Sequence, residues 1–221
     1  MIALLPMKGN SERVAGKNIK ELNGLPLFFH IADTLNKSKL FSVLAINTDS
    51  EKISDLAKKR YGDWVHIIER PVSLCGDYVS MNEIISYDLS QLMLEEDFFQ
   101  THSTNPFLKL ETLINAHKIY FSKMKENNFN CIFSVNSIKT RLYDSKLNPI
   151  NHNADKLERT QDLDDIYEEN SNFYFFSRSS FFEKNHRIGS KPMPFVMDRN
   201  SLEALDIDDM SDWNLAELVF K

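Results

Sequence analysis

Lys8, Arg13 and Lys17 fall within one short stretch, residues 7–18 (MKGNSERVAGKN), directly behind the apolar opening MIALLP. Gly9 and Gly16 in the same stretch let a backbone approach a bound group closely. Asn10, Ser11 and exposed amides add donors that suit phosphate oxygens. The chemistry these residues could do is to wrap the phosphates of a nucleoside triphosphate. The spacing is neither the glycine-lysine-serine/threonine P-loop nor the dinucleotide fingerprint. On spacing alone it reads equally as a solvated basic loop.

A second set stands near the far end of the chain. Asp206 and Asp208 are separated by one residue, and in an extended segment that spacing sends both carboxylates to one face. Two carboxylates on one face can share a hard cation such as Mg2+ with phosphate oxygens and water. The competing use is a cap for the last helix, and Asp209 and Asp212 are assigned to that use. Asp49 suits a cap for the helix starting near Glu51 at least as well as a catalytic role.

The elements that must position these residues follow from periodicity. Strands are expected over 2–5, 43–47, 65–68, 98–101 and 131–135, with regular structure again over 172–176, 193–197 and 202–207. Helices are expected over 25–35, 51–61, 81–93, 110–124 and 212–220. Short apolar runs alternating with amphipathic stretches imply a mostly parallel sheet covered by helices, a Rossmann-like three-layer α/β/α sandwich. Ligands of such sheets bind at the carboxyl ends of the strands, which is where residues 7–18 fall. The stretch 137–169 is polar and lacks helical period, as a lid or an intersubunit arm would. Phe173, Tyr174, Phe175 and Phe176 read as packing.

The chain of 221 residues is 42% hydrophobic and 26% charged, enough apolar content for one domain over 1–221. A net charge of −6 gives no footprint for nucleic acid, though it allows a local basic pocket. The apolar opening ends at Pro6 and Lys8, far short of a membrane span, and lacks the basic flank of a signal segment. Two cysteines, Cys75 and Cys131, offer no disulfide framework, so a reducing cytoplasm is the expected setting. His30, His66, His117 and His186 lack ligand spacing among themselves.

Residues 2–6 (IALLP) with Ser11, Arg13, Lys17 and Asn18, then NTDS at 47–50, GDYVS at 76–80, TNP at 104–106 and DID at 206–208, come in the order seen in one family. The chain resembles the acylneuraminate cytidylyltransferases, the CMP-sialic acid synthetases, over nearly its whole length and most weakly over 137–171. The resemblance implies transfer of CMP from CTP to a 2-keto-3-deoxy sugar acid with release of pyrophosphate. Lys8, Gly9, Asn10, Ser11, Arg13, Lys17, Asn18 and Ser80 would hold the nucleotide. Asp206 and Asp208 would hold Mg2+, a role the resemblance favours over capping. Gln100, His102 and Thr104 would face the sugar, although a lone histidine is as often a structural hydrogen-bonder. The insertion over about 137–171 would pair with a second subunit and bring Arg141, Arg159, Gln161 and Tyr167 toward the neighbour's sugar, solvated charge being the alternative for each.

Three departures are visible. Lys8 replaces the usual arginine and loses its planar fork. Counting back from Pro106 puts His102 at the family glutamine, and Glu168 stands where an arginine is common. Rival readings are a synthetase for shorter Kdo-type acids, a glycosyltransferase with an aspartate-x-aspartate pair, and a non-catalytic nucleotide-binding scaffold.

Overall fold

The computed structural model describes every residue except Glu12, Asp77, Leu94, Asn127, Asn128, Arg199 and Lys221, and the side chain of Lys125. Glu12 in the basic loop and Asp77 in the 76–80 motif therefore lie outside the described residues. In chain order the elements are β1 (Ile2–Leu4), β2 (Glu21–Leu22), β3 (Leu25–Pro26), α1 (Leu27–Ser38), β4 (Val43–Thr48), α2 (Glu51–Tyr61), β5 (Val65–Glu69), α3 (Met81–Gln91) and β6 (Asp97–Thr101). There follow α4 (Leu110–Lys125), β7 (Cys131–Ile138), β8 (Ile166–Ser177), α5 (Arg178–Lys184), β9 (Pro192–Val196) and α6 (Met210–Val219).

Seven strands form one sheet in the order β5-β4-β1-β6-β8-β7-β9. β8 pairs antiparallel with both β6 and β7, while the remaining pairings in this sheet are parallel. The chain lays β4 and β5 on one side of β1 and then crosses to put β6 on the other. The loops leaving β1 and β6 diverge at that reversal, which opens a crevice at their carboxyl ends. The topology, rather than any one motif, thus sets residues 7–18 opposite residues 102–104.

Strand alternation explains why the sheet is covered on both faces. Ala3, Leu5, Phe99, Phe173 and Phe175 join one buried cluster with Phe28, Ile31 and Leu113, while Ile2, Leu4, Phe98, Tyr174 and Phe176 join another with Ile85, Leu89 and Phe181. Neighbours in a strand point to opposite faces, so runs such as Phe173–Phe176 must be apolar throughout. Each phenylalanine fully withdrawn from water contributes about 2–3 kcal/mol. A third cluster seats α6 through Trp213 and Ala216 against Val14, Leu22 and Ile207, which ties the basic loop to the carboxyl end of the chain.

The structure moves several expected boundaries. The helix expected from residue 25 begins at Leu27, because Asn23 and Gly24 have positive φ (49° and 75°) and close the hairpin β2–β3. An Asn-Gly pair is the residue choice such a two-residue turn requires. β8 starts at Ile166, since Ile138↔Ile166 through Val135↔Glu169 extend the β7–β8 pairing past an irregularity between Phe133 and Val135. The polar stretch is therefore part ribbon, with an isolated bridge between Tyr143 and Pro149 in its tip. Residues 202–207 hold only a short 3-10 turn, Leu202–Ala204. α5, with Ser177 as its N-cap, was not anticipated. β9 is one edge of the sheet; Asn130 N bonds to Lys191 O and Met197 N to Val135 O, so Pro192 and Pro194 present their backbones outward. Among the described residues no helix is long and apolar enough to cross a membrane.

Candidate active site

The crevice is a cleft of about 390 Å³ lined on one wall by Pro6, Met7, Lys8, Asn10, Ser11, Arg13, Lys17 and Asn18 and on the other by His102, Ser103 and Thr104. Of the expected phosphate-loop residues Lys8, Asn10, Ser11, Arg13, Lys17 and Asn18 thus converge on it, whereas Gly9 and Gly16 do not line it. Its third wall is Arg70, at the end of β5, with Leu74, Gly76, Val79, Met81 and Ile84. Four basic residues in one cleft of a chain with net charge −6 make a local field that suits a polyphosphate.

The loop is held at both ends. Asn18 Nδ2 donates to the Lys8 carbonyl at 2.7 Å, and Asn18 Oδ1 accepts from Ser103 Oγ at 2.6 Å. Asn18 therefore staples the loop to the end of β6 as well as lining the cleft. Gly16 has φ of 60° and leads into a 3-10 turn over Lys17–Ile19. Gly9 does not line the cleft. Its N–H donates to Asp49 Oδ1 at 2.6 Å, and a Cβ there would meet Ser50 Cβ at 2.8 Å. Gly9 is needed for approach to the start of α2, not to a ligand. Asp49 is correspondingly not the cap of α2; Ser50 is.

The acidic pair stands beside this wall. Arg13 Nη2 donates to Asp208 Oδ1 at 2.8 Å, and Lys17 Nζ lies 4.0 Å from the same oxygen while donating to the Ile207 carbonyl at 2.7 Å. Burial pushes the Lys17 ammonium below its ordinary value, against the pull of Asp208 and Asp206. Burial likewise raises the Asp206 carboxyl, against a hydrogen bond from Thr104. Asp206 Oδ1 is buried without a hydrogen-bond partner, and such an oxygen costs free energy until something satisfies it. Among the described residues no three histidine, cysteine or acidic side chains cluster for a metal. Mg2+ needs only one or two carboxylates when phosphate supplies the rest, so the donor set fits that ion. Asp209 caps α6 in a reciprocal box with Asp212, as expected.

The wall opposite the loop rests on a buried network that sequence reasoning missed in part. Gln100 is fully buried behind the cleft, not in it: its Nε2 donates to the Thr101 carbonyl at 2.8 Å and its Oε1 accepts from Arg187 Nη1 at 2.8 Å. Arg187 Nη1 also lies 3.2 Å from His102 Nε2. Burial, then the charges of Arg187 and Lys17, hold the His102 imidazole down to about 3, so it is neutral. Arg187 stacks 3.7 Å over the Tyr174 ring and pairs with Glu169 at 3.5 Å. On the remaining wall Arg70 Nε donates to Asn47 Oδ1 at 2.6 Å, and Asn47 Nδ2 to Asp88 Oδ1 at 2.5 Å. Burial raises Asp88 to about 7. The position of Arg70 at a strand end was a usable signal; Arg187 carried none.

Besides Gly9, Gly16, Gln100 and the bordering Asp206 and Asp208, four expected residues stay out of the cleft. Ser80 lies between the lining residues Val79 and Met81, but its side chain caps α3 in a box with Glu83. Arg159 pairs with Asp162 at 2.6 Å, Gln161 sits in the 3-10 turn Thr160–Asp162, and Tyr167 is exposed on β8 opposite Ser137. Glu168 accepts from Asn136 Nδ2 at 3.2 Å on the same ribbon.

Residues 2–217 match the family described as cytidylyltransferase. The N-acylneuraminate cytidylyltransferase of Escherichia coli O18:K1:H7 is 27% identical over 98% of this chain, which spans about half (51%) of that relative's length. The pseudaminic acid cytidylyltransferase of Campylobacter jejuni serotype O:2 is 24% identical over 100% of this chain and 96% of its own. The CMP-N,N'-diacetyllegionaminic acid synthase of Legionella pneumophila is 27% identical over 98% and 94% respectively. A solved CMP:2-keto-3-deoxy-manno-octonic acid synthetase, in complex with CTP, shares the fold with a TM-score of 0.66 at 9% identity, covering 99% of this chain and 97% of that one. A basic cleft at the reversal of a mostly parallel sheet, in a sequence matched almost from end to end, leaves one conclusion: the chain belongs to the cytidylyltransferase family and is an enzyme of that kind.

Proposed function

We propose that this enzyme transfers CMP from CTP to the anomeric hydroxyl of a 2-keto-3-deoxy sugar acid of the nonulosonic type, with Mg2+ as its metal. The observation that carries the reading is the placement of Lys8, Arg13 and Lys17 on the wall that borders Asp206 and Asp208. The names of the full-length relatives supply the class of acid. The anomeric oxygen bonds to the α-phosphorus, the bond to the bridging oxygen breaks, pyrophosphate leaves, and the hydroxyl proton is released. Lys8, Arg13 and Lys17 neutralise the triphosphate, and Asn18 fixes the loop that carries them. Asp206 and Asp208 would hold Mg2+, which when bound supplies charge neutralisation for the phosphates. Catalysis then rests on positioning and electrostatics, with no side chain assigned as a general base.

The same reading makes the enzyme a cytoplasmic homodimer whose residues 137–171 reach a second copy. Leu147 and Leu157 on that excursion are 79% and 90% exposed, with Tyr143 and Ile150 also in solvent. Apolar side chains gathered this way suit a protein contact. Arg159, Gln161 and Tyr167, remote from their own chain's cleft, would serve the neighbour's. Sedimentation in solution tests the dimer, and a monomer refutes it. Pyrophosphate release from CTP with Mg2+ and a panel of nonulosonic and Kdo-type acids tests the reaction. Release with a nonulosonic acid supports it; turnover of Kdo-type acids alone, or none with any acid while CTP still binds, overturns it.

A further inference from the structure

The network behind His102 has one consistent hydrogen-bond assignment. A guanidinium only donates, so Gln100 Oε1 must face Arg187, 2.8 Å away. That orients the Gln100 amide nitrogen toward the Thr101 carbonyl at 2.8 Å and His102 Nε2 at 3.2 Å. Arg187 Nη1 faces the same Nε2 at 3.2 Å. Two donors converge on Nε2 and neither can accept, so Nε2 carries no hydrogen. In a neutral imidazole the proton then sits on Nδ1.

We propose that Arg187 is a positioning residue: it locks His102 as the Nδ1–H tautomer, so that the wall of the cleft opposite the basic loop offers a fixed hydrogen-bond donor to an acceptor oxygen of the sugar acid. This deepens the reading above and rests on it for the identity of the ligand. Arg187 is itself held from three sides, by Gln100 on β6, by the Tyr174 ring and by Glu169, both on β8. It cannot swing into the cleft without giving up all three. The charged groups that face His102 are Arg187 and Lys17, both cationic, with Glu169 behind Arg187. Their sign opposes protonation, in line with the low value already given for this imidazole. A guanidinium donating to one ring nitrogen also polarises the ring and strengthens the N–H on the other. His102 is thereby excluded as a proton acceptor through Nε2.

The test uses the full chain labelled with 15N at histidine, without ligand, read by long-range 1H–15N correlation. His102 is expected to show an unprotonated Nε2 and a protonated Nδ1, unchanged from about pH 8 to about pH 5, whereas a free histidine titrates near ~6.5. Arg187→Met keeps an unbranched side chain over Tyr174 and removes the donors. It is expected to mix the tautomers and let His102 titrate toward its ordinary value. In turnover the same variant should raise KM for the sugar acid about tenfold, one hydrogen bond's worth, and leave KM for CTP within about twofold. A wild-type Nε2–H tautomer, wild-type titration near ~6.5, or equal changes in both KM values overturns the proposal. The spectrum needs no turnover, so its failure is distinct from failure of the proposed reaction; should Arg187→Met not fold, the wild-type spectrum decides alone.

Discussion

Two arginines border the same cleft from opposite sides and are held in opposite ways. Arg13 on the basic loop has a side chain 63% exposed and pairs with Asp208. Arg187 behind the other wall is 13% exposed and contacts Gln100, His102, Glu169 and the Tyr174 ring. An exposed pair is worth about 0–1 kcal/mol, so Arg13 exchanges partners readily. A buried guanidinium keeps its charge and is costly unless its donors are satisfied, so Arg187 is held by its partners before any ligand arrives. The loop side keeps an exposed cation on the cleft; the far side is already held by its own partners.

The strongest test of that contrast is the third party on the loop side. Asp206→Asn should lower kcat about 100- to 1000-fold while leaving thermal stability unchanged or slightly higher, because it removes a buried, unpartnered carboxylate oxygen. Retained activity would remove Asp206 from the machinery. Next in size is the pH dependence of the third wall, where Arg70, Asn47 and Asp88 form a buried chain. Asp88 has a folded-state value of about 7, above its unfolded 3.8, so its neutral form favours the fold. That contribution is fully present below about pH 4 and fades as pH rises through about 7. Asp88→Asn should flatten this part of the melting profile, so that a gap of several degrees, with the variant the more stable, opens between the two proteins as pH rises across that window. Parallel profiles would count against it.

Arg13→Ala should lower kcat/KM for CTP about 10- to 100-fold, as expected for a lost charge-assisted phosphate contact, and move the melting temperature by no more than about 2 °C. A large loss of stability would show that the loop side is as rigid as the other. The smallest effect is expected at Arg159→Ala. Its pair with Asp162 is on the surface, so urea unfolding should change by less than about 0.5 kcal/mol. Any loss of turnover would then measure its service to a second copy.

Legibility in the sequence followed the same divide. The loop's place on the cleft and the capping roles of Asp209 and Asp212 were readable because each is local in the chain. The packing role of residues 173–176 was readable from their unbroken apolar run; that they alternate between two faces of the sheet came from the structure. Arg187 was not readable, since it meets Gln100 and His102 across 87 and 85 positions and no local pattern records that. The role of Gly9 was misread for a related reason: its crowding comes from Ser50, on another element. The extension of β8 back to Ile166 was missed because its added residues are mostly polar, satisfied by pairing with β7 rather than by burial.

β9 carries a consequence for how copies of the enzyme can meet. With Pro192 and Pro194 outward on this edge, two successive positions lack the N–H that a joining strand would need. A neighbour cannot zip onto that side of the sheet by backbone pairing, which also denies it a nucleus for aggregation. Association through that face must go by side-chain fit, where sequence can choose the partner.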